Sequence, residues 1–477
     1  MKKIFSNYTK ISFLYIYGIF LYALLTIWLI NFTGGIEQAT REGNQFVIDG
    51  AVKLYWGILF GSVFFYLVIS SLIKNLKNIL NLVFLDKCFL LWLSVDMVAF
   101  LFGIIFHNSI RYILSDLFLF SLIPLSYFFV KENLIPEKKF ESLFYIMLFS
   151  QVFIISFPVD WGVPSSVAGF KSIGFSSLFG AEAFVTISLL FLAIISKSRL
   201  MFISLLVLAI EVSLIRQRMT YLVQVFAIIP VFILFHLDNK IILKRLLSTV
   251  SIVFLIIFAL NWQGNSFNSV SYRRTAYFAK VAAQKVTNKF IKVEQYLETK
   301  LFHKDIKKYA YSLEDKNKSL EEKSTSQKNF EIKEILKLFK KNPSRILFGF
   351  GNGATADFSK SPDATIPQVY GAEVNRVHNI HFLPIAILFR QGLLGLFVFV
   401  LLCVAIIQFF LFNRSKFMPL DEKNIIFEIL FLNFIAMLIG SIFNSPHLFT
   451  SLNVGFGIGI MMTMVVFVKQ KKSNNLN

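Results

Sequence analysis

Cysteine is almost missing from this sequence. Cys88 and Cys403 are the only two in 477 residues, and each lies in an apolar run, which excludes a disulfide framework and a cysteine metal site. Acidic residues are also few: 28 Asp and Glu stand against 48 Lys and Arg, for a net charge of +20. Such an excess invites a nucleic-acid partner, but the basic residues sit mainly between apolar runs, where orientation in a membrane accounts for them, so no nucleic acid is expected. Ten-residue segments of alternating polarity are absent, which argues against an outer-membrane barrel. The opening MKKIFSNYTK leads into about 20 apolar residues without a small-residue cleavage site and reads as an uncleaved signal anchor. Neither the extramembrane segment nor the spacing of the apolar runs shows an internal repeat.

What is abundant is hydrophobic sequence, 56% of the chain, gathered into runs long enough to cross a bilayer. The reading is an all-α, polytopic integral membrane protein. Its twelve expected spans lie near 11–31, 53–73, 88–106, 112–130, 143–158, 176–196, 200–215, 219–236, 246–262, 391–412, 424–443 and 449–468. Residues 1–262 form one membrane domain with nine spans, 263–390 an extracytoplasmic loop domain ending in an interfacial segment, and 391–477 three further spans with a tail. With the long loop set aside, alternate sides carry twenty and six basic residues. The positive-inside rule then puts both termini in the cytoplasm and the long loop outside.

Within that loop, Phe290, Val293, Leu297 and Leu301 recur at helical spacing, as do Ile332, Ile335, Leu336 and Phe339 before a stop at Asn342-Pro343. Two amphipathic helices are predicted. The SLEDKNKSLEEKSTSQKN stretch between them has little to bury and reads as a linker.

Candidate chemistry concentrates where this loop re-enters the membrane, in RVHNIHFLPIAILFRQGLLGLFVFVLL. A helix crossing from His378 onward would bury Arg390 roughly 18 Å deep at about 1.5 Å per residue. The expectation is therefore that 379–389, interrupted by Pro384, lies along the membrane surface with His378 and Arg390 at one interface. His378 has the side chain for a general base at neutral pH, and a structural donor is the alternative. His381 would share its helical face, but no third metal ligand is recognisable among Asp357, Asp363 and Glu373, so no metal is expected.

Arg216 and Arg218 occupy a tight outside turn, against the charge bias. Either they receive an anionic, phosphate-like group, or they pair with Glu211 or lipid headgroups. Arg273-Arg274 follows the ninth span and has the same two readings, ligand or interfacial flank. Gly349, Gly351 and Gly353 in ILFGFGNGATADF can bring backbone close to a phosphate, but the Lys-Ser or Lys-Thr of a P-loop is missing, and a plain turn serves equally. Asp96, Glu182, Glu211 and Glu428 lie within spans, and intramembrane acids of this kind sustain a transporter reading.

In order along the chain, the RxR turn at 216–218, the early loop arginine, NPSRILFGFGNG and VHNIHFLPIAILFRQGLLGLFVFVLL resemble the bacterial O-antigen polymerase and O-antigen ligase superfamily. The likeness covers roughly 200–412. Its His-Asn, apolar run, Gly-apolar-apolar-Gly pattern falls here on His378, Asn379, Gly392 and Gly395, and its preceding Gly-x-Gly on Gly349 and Gly351. Gln217 stands where the family has serine beside its arginine. The resemblance implies metal-independent glycosyl transfer at the outer face of the cytoplasmic membrane, from an oligosaccharide carried on undecaprenyl pyrophosphate, with inversion at the anomeric carbon and without a cofactor. His378 would act as base; Arg218, Arg216 and one of Arg273/Arg274 would meet the pyrophosphate; Arg376, Asn379, Gly349, Gly351 and Arg390 would bind substrate. A chain-length regulator, a flippase and membrane lipid are the implied partners.

Overall fold

The computed structural model describes residues 83–132, 139–156, 181–215, 219–263, 320–357, 376–377, 380, 382–418, 420–443 and 452–474. Eleven α-helices lie in these residues: α1 (Phe84–Ile105), α2 (Ile110–Glu132), α3 (Phe140–Ser156), α4 (Ala181–Ile195), α5 (Arg199–Ile215), α6 (Met219–Phe235), α7 (Lys240–Gln263), α8 (Leu320–Lys341), α9 (Leu383–Arg414), α10 (Asn424–Phe443) and α11 (Leu452–Asn474). All but α8 coincide with expected spans. Those near 11–31 and 53–73 lie outside the described residues, as does the helix expected around Phe290–Leu301. Five helices are long and apolar enough to cross a membrane: Phe84–Ile105, Tyr112–Glu132, Leu383–Phe417, Asn424–Ile442 and Asn453–Gln470.

Apolar runs make helices in such a setting because every backbone polar group must be paired within the segment. Where a residue breaks that rule, a side chain repairs it. Pro124 in α2 has no N–H for the carbonyl of Phe120, and the Trp92 indole of α1 donates to that carbonyl at 2.7 Å. The other end of α1 is tied to α2 through Asp86, which accepts from Tyr127 Oη and Lys131 Nζ at 2.6 Å each. Gly455 and Gly459, four residues apart on α11, let α2 close in: a Cβ at Gly455 would overlap Ser126 Oγ, and one at Gly459 would stand 2.7 Å from Val130 Cβ. Small residues at this spacing are how helices approach one another in lipid, where apolar surface gains nothing by leaving the solvent.

The connections sort into two ends. At one, the turn between α1 and α2 meets the segment after α8, with Asn108 Nδ2 donating to the carbonyls of Phe350 and Asn352 at 3.0 Å each. At the other, Ser196 and Lys197 bond Glu422, Arg414 bonds the Phe235 carbonyl, and His236 meets Glu428.

One expectation shifts. Helix α8 starts at Leu320, inside the stretch read as linker, and its buried stripe is Glu331, Ile335 and Phe339 while Leu336 is exposed. Residues 383–391, ahead of the break at Gly392, form a helical first part of α9, with Pro384 in its opening turn, where a missing N–H costs nothing.

Candidate functional site

Helix α9 is broken at Gly392, whose φ of 69° and ψ of −166° are accessible to glycine alone. In an unbroken helix Leu393 and Leu394 would donate to the carbonyls of Phe389 and Arg390. They donate instead to Ile346 at 2.9 Å and Leu347 at 3.1 Å, while the freed carbonyls of Phe389 and Arg390 accept from Phe350 at 2.8 Å and Gly351 at 3.0 Å. The glycine loop thus replaces the missing turn, bond for bond. A Cβ at Gly392 would overlap the Leu347 carbonyl, and one at Gly349 would stand 2.5 Å from the Arg390 carbonyl. Gly349 and Gly351 carry φ values of 76° and 78° and spend their N–H groups on Arg345 and Arg390, so neither amide faces a ligand.

Around this clamp is a buried polar layer. Arg390, 2% exposed, donates from Nε to Asp116 Oδ2 of α2 at 2.6 Å, and the N–H of Gly353 reaches the same oxygen at 2.7 Å. Asp96 of α1, fully buried, accepts from Asn352 Nδ2 at 2.9 Å and Gln391 Nε2 at 3.2 Å. The N–H of Asn352 donates to the Ala99 carbonyl at 2.8 Å, so the loop is bonded to α1 as well as to α9. Gln391 lies over Gly395, where a Cβ would come within 2.8 Å of its Oε1. The two glycines of the GLLG stretch have separate duties: Gly392 permits the break, and Gly395 makes room for the side chain that reaches Asp96.

The loop runs on into strand β1 (Ala356–Asp357), which pairs antiparallel with β2 (Arg376–Val377), Ala356 opposite Val377 and Asp357 opposite Arg376. Ile380 is fully buried in a small apolar cluster with Ile335, Phe339, Ala354, Ala356, Ala386 and Phe389. The chain is therefore held on both sides of His378, by β2 before it and Ile380 after it. Beside the clamp, the Arg345 guanidinium lies 3.4 Å from the centre of the Phe106 ring.

The clamp joins Gly349, Gly351, Gly392 and Arg390. Arg390 is enclosed by protein and paired with Asp116. The backbone of Arg376 is placed in β2. His378, Asn379, His381, Arg216, Gln217, Arg218, Arg273, Arg274, Asp363 and Glu373 lie outside the described residues, as do the side chains of Arg376, Asp357, Glu182 and Glu211. Asp116, Asn108, Asn352 and Gln391 were missed by sequence reasoning. Their one legible signal is polarity within or beside an apolar run. Of the intramembrane acids without an evident partner in sequence, Asp96 meets Asn352 and Gln391, and Glu428 meets His236 Nε2 at 2.8 Å with Arg414 Nη2 at 3.8 Å.

No family model matches the chain, and no curated protein matches it.

Proposed function

We propose that the chain is a surface-polysaccharide polymerase of the O-antigen type, a glycosyltransferase taking its donor from a polyprenyl pyrophosphate at the outer face of the inner membrane, with both termini in the cytoplasm. The observation that carries this reading is the clamp. The Gly-x-Gly at 349–351 and the Gly-apolar-apolar-Gly at 392–395, two separate pieces of the family resemblance, are joined by four exchanged main-chain hydrogen bonds into one unit. Motifs that depend on each other physically are better support than motifs that merely occur in order. The same unit leads through β1 and β2 to the His378 segment.

In the proposed reaction His378 removes the proton of the acceptor hydroxyl as that oxygen attacks the anomeric carbon. The bond from that carbon to the pyrophosphate breaks on the opposite face, and the leaving group departs with the electron pair. Arg218, with Arg216 and one of Arg273/Arg274, stabilises the charge that grows on the leaving oxygens, which favours the transition state over the bound substrate. Gly349, Gly351 and Arg390 serve this reading as scaffold: they position the loop and contribute no contact to the donor.

His378→Ala and Arg218→Ala each abolish glycan elongation while the protein still reaches the membrane. Wild-type banding of the polysaccharide on a gel from both variants refutes the assignment. Deleting the gene leaves lipid A-core carrying one repeat unit; bare core with long lipid-linked chains accumulating would identify a ligase in its place.

A transport or flippase reading draws on one observation, the burial of Asp96, Asp116 and Arg390 within helices. Arg390 lies seven residues into α9, about 10 Å along its axis, nearer the helix end than a bilayer midplane. Lipid-linked repeat units stranded on the cytoplasmic leaflet of the deletion strain would favour that reading.

A further inference from the structure

Asp116 faces Arg390, but Asp96 has no cation within ion-pair distance among the described residues. Both hydrogen bonds it accepts go to Oδ1, from Asn352 and Gln391. Its Oδ2 is buried without a partner, and so are Asn352 Oδ1 and Gln391 Oε1. An amide separates its nitrogen from its oxygen by only about 2.2 Å, so both amide oxygens lie within roughly 5.5 Å of the Asp96 carboxylate. Turning either amide over would aim its oxygen at that carboxylate, so the orientation is set by charge.

The result is three buried acceptor oxygens without a bonded donor, around a carboxyl group whose neighbouring cation, Arg390, is paired with Asp116. Unpaired acceptors are costly in a protein interior, and a lone carboxylate within a membrane span is costlier. A water molecule brings two donors and no charge. A proton on Oδ2 neutralises the carboxylate but satisfies one of the two amide oxygens. A monovalent alkali cation cancels the charge and takes all three oxygens as ligands, for which hard carboxylate and carbonyl donors are suited. A divalent ion would leave excess positive charge beside Arg390.

We propose that Asp96, Asn352 and Gln391 form a binding site for a monovalent alkali cation, sodium in the first instance, which fastens the Gly349–Gly353 loop to α1 and α9. One ligand comes from each of the three parts, so occupancy stabilises their mutual docking. The site is independent of the glycosyl-transfer reading, and its test does not use activity.

The full chain, purified in detergent, is melted in sodium, potassium and choline chloride at fixed chloride and ionic strength. A saturable rise in melting temperature with sodium over choline is expected, absent in Asp96→Asn and retained in Glu422→Gln, which lies at the other end of the molecule. Gln391→Met, which removes one of the three oxygens without changing charge, moves the half-saturating sodium concentration up by about tenfold, equivalent to about 1.4 kcal/mol. Should Asp96→Asn fail to purify, the wild-type series and Gln391→Met decide. Equal melting in sodium and choline overturns the proposal, as does a sodium response that survives in Asp96→Asn. A response to pH with none to sodium assigns the place to a proton.

Discussion

The carbonyl of Arg390 accepts the N–H of Gly351 at 3.0 Å, a bond that in a continuous helix would come from Leu394. A loop 39 residues upstream is thereby written into the hydrogen-bond ladder of a membrane helix. Broken helices at membrane depth are tolerated only where other protein groups take over the released donors and acceptors. Here the break and the loop depend on each other.

Gly392→Ala is therefore expected to be strongly destabilising. The conformation at 392 costs a residue with a Cβ about 1–3 kcal/mol in backbone strain alone, and overlap with the Leu347 carbonyl adds to it. A lowered melting temperature and a reduced monodisperse fraction on size exclusion are the expected readouts. Gly457→Ala, whose Cβ would stand 3.4 Å from Leu430 Cδ2, serves as a mild control on α11.

Breaking one side of the Arg390–Asp116 pair leaves a buried charge uncompensated. Arg390→Leu is expected to cost about 3–5 kcal/mol of stability. Asp116→Leu combined with Arg390→Leu recovers much of that loss but not all, because the Gly353 N–H then lacks its acceptor. A double-mutant cycle read by melting temperature, with additive effects of the two single changes, would show that the pair is not coupled.

At the other end of the molecule, Glu422 accepts from the Lys197 N–H at 3.1 Å and from Ser196 Oγ at 2.8 Å. These bonds, the backbone one foremost, hold its carboxyl below its ordinary value of 4.5. A lowered folded-state pKa gives stability that is fully present above that ordinary value and lost as pH falls through the lower one. The melting-temperature gap between wild type and Glu422→Gln should be largest near neutral pH and close on acidification below about 4.5. A gap that widens on acidification contradicts the assignment.

The buried His236–Glu428 pair joins α10 to the turn after α6, with Arg414 of α9 beside it. Glu428→Leu is expected to destabilise more than His236→Leu. It removes the acceptor from His236 and the nearby counter-charge from Arg414, whereas His236→Leu leaves Glu428 its arginine. Melting temperatures of the two variants check the order.

Much of the layout was legible before any coordinates. The apolar runs near 88–106, 112–130 and 391–412 fall on α1, α2 and α9, and the stop at Asn342-Pro343 ends α8. The Gly-x-Gly and GLLG stretches stood out as well, but their partnership did not. Read alone, the first suggested a phosphate loop or a turn, and the second half of a family pattern. Arg390 looked interfacial because a cation roughly 18 Å deep in a span is costly, and its counter-charge was not legible; Asp116, 274 residues away, supplies it.

Run length, helical period and the alternation of basic loops were set by the sequence itself, since each depends on residues within a few turns of one another and on the energy of placing them in lipid or water. Tertiary structure alone decided that Asn352 would reach Asp96 across 256 residues, that Gly395 would be vacant for Gln391, and that a helix could break at Gly392 without orphaning its backbone. Such pairings follow from which segments pack side by side, and no local pattern in the chain encodes that choice.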